Sequence, residues 1–163
     1  MSTSIRRIRP EDASELRRMR LAALTDMPSA FGSTLERELA FSDADWSRRA
    51  TQSSTGPDSV MFFAEADSEI VGLVGGFRTE TATELVSMWV TPDARDLGVG
   101  RQLVDAVTEW AQEQPPERVE LWVTRGNAAA LRLYETSGFR VTGDHQPLPS
   151  DPCVDEIRMR REL

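Results

Sequence analysis

The chain has 163 residues, 39% hydrophobic and 28% charged, which fits one soluble domain able to bury a core without staples. The formal net charge of -8 argues against nonspecific nucleic-acid binding, which needs a positive footprint, and no apolar run approaches the roughly 20 residues of a membrane span. A single cysteine, Cys153, leaves no internal disulfide and no cysteine-cluster metal site, and the first residues lack the apolar stretch of a secretory signal, so a cytoplasmic location is the expectation.

In chain order, Ser4 to Arg9 reads as a short extended segment. Pro10, Glu11 and Asp12 suit a helix N-terminus, and Leu16, Met19, Ala23 and Met27 follow at helical spacing. The stretch PSAFGSTLE interrupts that helix. Ser42, with Asp45 three residues on, has the form of a capping box and predicts a second helix to about Gln52. Val60 to Ala66 and Ile70 to Phe77 are rich in β-formers across a short turn and predict a hairpin; a strand from Glu84 to Val90 extends it into an antiparallel meander.

A second apolar helical face follows: Leu103, Val104, Val107, Trp110 and Ala111 lie opposite Gln102, Asp105, Glu109 and Gln112, with Pro115 and Pro116 as the stop. RVELWVT predicts a strand. Asn127 caps a helix that ends at Gly138. FRVTG and VDEIRMRR predict the last strands, joined by a loop that holds His145 and Cys153. Trp46, Trp89, Trp110 and Trp122 read as core. The sum is an α/β fold with a mixed, mostly antiparallel sheet and helices on both faces.

The chemistry concentrates at SMWVTPDARDLGVGR, where an apolar strand meets a proline, an arginine and closely spaced glycines, then a helix. A helix N-terminus has unpaired N–H groups and a partial positive charge, and glycines before it allow a ligand close to the backbone. Gly98 and Gly100 supply the turn, and Arg95 and Arg101 add charge, so the segment reads as a pyrophosphate cradle. A P-loop requires a lysine, and the chain has none. A dinucleotide fingerprint requires a third glycine where Leu103 stands. The third competing reading is the coenzyme A pyrophosphate site of an acetyltransferase.

VTPDARDLGVG resembles the strand end and pyrophosphate loop of the GCN5-related N-acetyltransferase (GNAT) family, and NAAALRLYETSGF resembles that family's second signature. The order of elements is similar over nearly the whole chain. The resemblance implies a sheet with splayed middle strands and acetyl-CoA as acyl donor, without a metal. It places backbone groups of Met88 and Val90 along the pantetheine arm. It places Arg95, Asp96, Leu97, Gly98, Val99, Gly100 and Arg101 around the pyrophosphate, and Asn127 near the pantetheine or the thiol end. Tyr134 becomes the general acid for the departing thiolate, in a direct attack by an amine on the thioester. Asp96 departs from the family pattern, which most often has glycine there; a carboxylate aimed inward would repel pyrophosphate.

The acceptor is a small-molecule or peptide amine of unread identity, and a homodimer is compatible with the family. Glu84 shares strand parity with Met88 and Val90 unless a bulge intervenes; it is either the base for the amine or a solvent-facing glutamate, with ordered water as the alternative base. Phe31, Gly32 and His145 fall where this family builds acceptor-site walls. A non-catalytic acyl-CoA-binding or sensor module of the same fold is the competing reading. With no lysine, the chain carries no side-chain amine of its own to be acylated.

Overall fold

The computed structural model describes residues 2–163. The elements are β1 (Thr3–Arg7), α1 (Ala13–Asp26), α2 (Leu35–Leu39), α3 (Asp43–Ser54), β2 (Ser59–Ala66), β3 (Glu69–Arg78) and β4 (Thr83–Val90). They continue with α4 (Val99–Ala111), β5 (Arg118–Thr124), α5 (Ala128–Thr136), β6 (Arg140–Leu148) and β7 (Asp151–Glu162). The strands form one seven-stranded sheet in the order β1-β2-β3-β4-β5-β7-β6. Neighbours are antiparallel except β4 and β5, which are parallel and connected through α4.

Local chemistry explains most boundaries. Ser42 and Asp45 make the capping box that starts α3, each side chain bonding the other's backbone N–H. The β2–β3 turn has Asp67 and Ser68 at φ 52° and 67°, the positive-φ pair whose twist matches that of the flanking strands. The apolar face of α4 buries Leu103, Val104 and Val107 completely, each side chain contributing about 1.5–3 kcal/mol.

Two cores lie on opposite faces of the sheet. α4 packs with Val74, Leu85, Leu121, Met159 and Tyr134 on one face. α1 and α3 pack with Phe63, Leu73 and Trp89 on the other. Leu73 and Val74 divide between them as successive strand residues must.

The structure corrects the sequence reading in two regions. PSAFGSTLE contains the start of α2, whose N-cap Thr34 accepts from the Arg37 N–H at 3.1 Å. The expected loop between the last strands is mostly strand: β6 runs to Leu148 and β7 begins at Asp151, so His145 sits on a strand opposite Ile157. β6 ends the sheet, and Pro147, which has no N–H, is tolerated on such an edge.

The feature that opens the site is a bulge in β4. Gly75 pairs with Val86 but Leu73 pairs with Trp89, so β4 carries one residue more than β3 between these pairs. Ser87 there has φ 59°. Its hydroxyl accepts from Arg20 Nη1 at 3.2 Å, and the Arg20 guanidinium is held at 3.0 and 2.6 Å by the buried Glu38 carboxylate. β4 meets β5 only at Thr83–Val119 and Glu84–Glu120, and beyond that the two strands part.

Candidate active site

A cleft of about 690 Å³ occupies the gap between β4 and β5. Met88 and Val90 line it from β4, Trp122 and Thr124 from β5, and Asn127, Arg132 and Tyr134 from the segment that carries α5. The loop before α4 and the segment of Met27, Ala30 and Phe31 complete the lining, and the two meet where Arg95 Nη2 lies 3.9 Å from Met27 Sδ. The Thr91 N–H bonds to the Val71 carbonyl at 2.8 Å, so the antiparallel alternation turns the main-chain groups of Val90 away from β3 and into the gap. The Val90 carbonyl accepts from Arg95 Nε at 3.0 Å.

The loop before α4 has the makings of an anion site. Among the described residues, the N–H groups of residues 96–101 have no hydrogen-bond acceptor. Gly98 is the N-cap of α4 at φ 85°, and a Cβ there would meet nothing within 4 Å. Its requirement for glycine is therefore conformational. Gly100 differs: a Cβ there would come within 3.1 Å of Leu133 Cδ2, so this glycine serves the close packing of α4 on α5. Asp96 has φ 62°, a left-handed conformation that Asp tolerates better than most residues, and its side chain is exposed at the rim. Leu97 is 58% exposed and does not line the cleft.

The arginines divide their work in a way the sequence does not reveal. Arg95 is tied to the Asp26 carboxylate, which also accepts from Trp89 Nε1 at 3.0 Å. These bonds hold the Asp26 carboxyl below its ordinary range, Trp89 first and Arg95 second. Arg95 thus pins the loop to α1. Arg101 bonds Asp105 at 3.2 Å and the Thr136 carbonyl at 3.0 Å, bridging α4 to α5. Of the three arginines that line the cleft, Arg132 is the one without an ion pair among the described residues, and it is exposed on the rim. Sequence reasoning missed it; the helical spacing of Arg132 from Asn127 and Ala128 was the available signal.

Tyr134 is buried at 6% exposure, edge-on to Phe139 with ring centroids 5.9 Å apart. Burial pushes its phenol well above the ordinary value, so the hydroxyl remains a proton donor at any working pH. Among the described residues that hydroxyl has no hydrogen-bond partner, and the residue lines the cleft. The Asn127 side-chain oxygen caps α5 by accepting from the Ala130 N–H at 3.2 Å.

Several expected site residues are not brought together with these. The Ser87 bulge reverses the parity of β4, so Glu84 lies on the opposite face from Met88 and Val90. Its carboxylate is engaged by both terminal nitrogens of Arg158. His145 is on β6 with its side chain 64% exposed, 3.6 Å from the Asp155 carboxylate. Gly32 packs toward Pro149 outside the cleft, whereas Phe31 is at the cleft, with the Arg20 guanidinium 5.2 Å from its ring centroid. Trp122 is only half-buried and stacks under Arg158, 4.9 Å from ring to guanidinium.

A sheet splayed around a bulged strand, with unbonded amides in the loop before α4 lining the cleft, is the architecture of this site. Residues 18–139 match the Acetyltransferase (GNAT) family, and the chain belongs to that family. A mycothiol acetyltransferase from Acidothermus cellulolyticus is 32% identical over 137 residues, which cover 74% of this chain and 39% of that protein. This chain therefore spans less than half of that relative. Among solved structures, a GNAT-family acetyltransferase from Streptococcus pneumoniae superposes with a TM-score of 0.85 at 20% identity, covering 99% of each chain. A spermidine N-acetyltransferase from Vibrio cholerae, in complex with CoA and spermine, superposes at 0.76 with 17% identity, covering 98% of this chain and 95% of that one. At these identities the superpositions speak for the fold.

Proposed function

We propose that the chain transfers an acetyl group from acetyl-CoA to a primary amine by direct attack, with no covalent intermediate on the protein. The observation that carries this reading is the pairing, in one cleft, of the free amides of residues 96–101 with the unpartnered phenol of Tyr134. The amides and the positive end of α4 suit a pyrophosphate, and Gly98 lets it approach the backbone. Arg132 adds the unpaired charge. The outward-facing main-chain groups of Met88 and Val90 suit the amide-bearing pantetheine arm, as an edge strand suits an extended peptide. Asn127, at the start of α5, flanks the thioester end.

Tyr134 then faces the departing sulfur. A phenol raised by burial is a poor source of a free proton but a good hydrogen-bond donor, so its hydroxyl stabilises developing thiolate charge while the proton shed by the amine nitrogen replaces its own. Exposed Asp96 lies at the rim and leaves the amides clear. The test is Tyr134→Phe, which keeps the ring and its contact with Phe139. Acetyl-CoA should bind as before, and kcat should fall on the order of a hundredfold. Full turnover in the variant would remove Tyr134 from the chemistry.

A further inference from the structure

The face of the sheet opposite α4 carries carboxylates with very different partners. Glu84 and Glu120 share Arg158, and Glu120 also pairs with Arg160. Glu156 on β7 is 6% exposed, and among the described residues it has no ion pair. Its Oε1 accepts from Gln146 Nε2 at 2.7 Å. The register sets Glu156 directly opposite Thr124, and Thr124 lines the cleft. Side chains so paired have Cβ atoms about 4.5–5.5 Å apart on the same face. The segment from Ser29 to Phe31 lies across this point: Thr124 Oγ1 donates to the Ser29 carbonyl at 2.7 Å, and Ser150 Oγ donates to the Phe31 carbonyl.

A buried carboxylate without a cation is costly unless something supplies one. Burial pushes the Glu156 carboxyl up from its ordinary value, against the opposing pull of Gln146 and Arg158, and Asp155 adds to the rise. The charged groups around it are Arg158 and Asp155 on its own strand and Glu120 on β5; His145 on β6 is opposite Ile157, on the other face of the sheet, 3.6 Å from Asp155. The Arg158 guanidinium already faces two carboxylates, Glu84 and Glu120, against its single charge, so it offers no surplus positive charge to an acceptor carboxylate.

We propose that Glu156 receives the ammonium group of the acceptor and takes its proton, and that the acceptor is an alkylammonium without a neighbouring carboxylate. This rests on the acetyl-transfer reading above. The Glu156 carboxylate removes one proton from R–NH3+, freeing the nitrogen lone pair. The nitrogen attacks the thioester carbonyl carbon, and the C–S bond breaks with its electron pair leaving on sulfur. A second proton, shed by the nitrogen, ends on that sulfur, and the proton on Glu156 returns to water. The products are R–NH–CO–CH3 and the free thiol.

The experiment uses the full chain, acetyl-CoA and pentylamine, with release of thiol as the signal. Glu156→Gln keeps the shape and the contact with Gln146. Its kcat/KM for pentylamine should fall by a hundredfold or more, on the order of what a general base supplies, with acetyl-CoA affinity unchanged. Glu156→Asp should recover part of the loss. A readout independent of turnover is stability: a carboxyl whose folded value is raised costs stability as pH rises through that value. Glu156→Gln should therefore melt above the wild type at pH 8, with the gap closing at pH 4. A variant within threefold of wild type in kcat/KM overturns the proposal. So does a wild type that binds acetyl-CoA but leaves pentylamine unacetylated, with the donor reading still standing. Failure to bind acetyl-CoA would instead overturn the donor reading itself.

Discussion

Gly98→Ala separates the conformational role of the loop from its packing. The residue sits at φ 85°, and an added Cβ has open space around it, so the substitution introduces backbone strain and no clash. An L-residue in the left-handed region costs about 1–2 kcal/mol. Loss of glycine's freedom in the unfolded chain returns about 0.4–1 kcal/mol. If the loop keeps its shape, the net cost of about 1 kcal/mol appears as stability, and acetyl-CoA affinity holds. If the loop relaxes, stability holds, and the strain is imposed on binding instead. A cost of 1.4 kcal/mol is about tenfold in Kd. The two losses draw on the same strain, so their sum should stay near the net of about 1 kcal/mol. Urea unfolding and calorimetric titration with acetyl-CoA, run on the same variant, measure both. A variant with unchanged stability and unchanged affinity would refute the argument that the αL conformation at Gly98 shapes the cradle.

Two further outcomes follow from the charged side chains. Arg158→Met leaves half-buried Glu84 without an ion pair and buried Glu120 with Arg160 alone, and should destabilise the chain by about 3 kcal/mol in urea; a loss below about 1 kcal/mol would mean that water and Arg160 satisfy them. Asp26 has its folded carboxyl below the unfolded value, through Trp89 and then Arg95. Its contribution is therefore present above the unfolded value of about 3.9 and fades as pH falls through the folded one. Asp26→Asn should melt below wild type at pH 7, and the two curves should converge toward about pH 2; a constant gap across that range would point to a purely steric effect of the substitution.

Most of the architecture was legible because it is written in local patterns. The apolar stripe of α4, the capping box of α3, the turn residues between β2 and β3 and the glycine after α5 each act over a few residues. The glycine turn before α4 was legible for the same reason: Gly98 and the helix it caps are contiguous. What escaped the sequence depends on distant contacts. The Ser87 bulge is held by Arg20, which lies on α1, and by Glu38 beyond it. One inserted residue reverses strand parity, and that alone separates Glu84 from the face that Met88 and Val90 share. Arg95 and Arg101 read as phosphate ligands until their partners Asp26, Val90, Asp105 and Thr136 came into view. Glu156 drew no notice in the sequence because its isolation from cations is a property of three neighbouring strands together.

The most direct test of the account is calorimetric titration of CoA-free protein with acetyl-CoA and, in parallel, with dephospho-CoA. The free amides of residues 96–101 predict micromolar binding of acetyl-CoA, with most of that affinity retained by dephospho-CoA, because the pyrophosphate is common to both. Binding of neither compound would contradict the cradle and, with it, the acetyl-transfer reading.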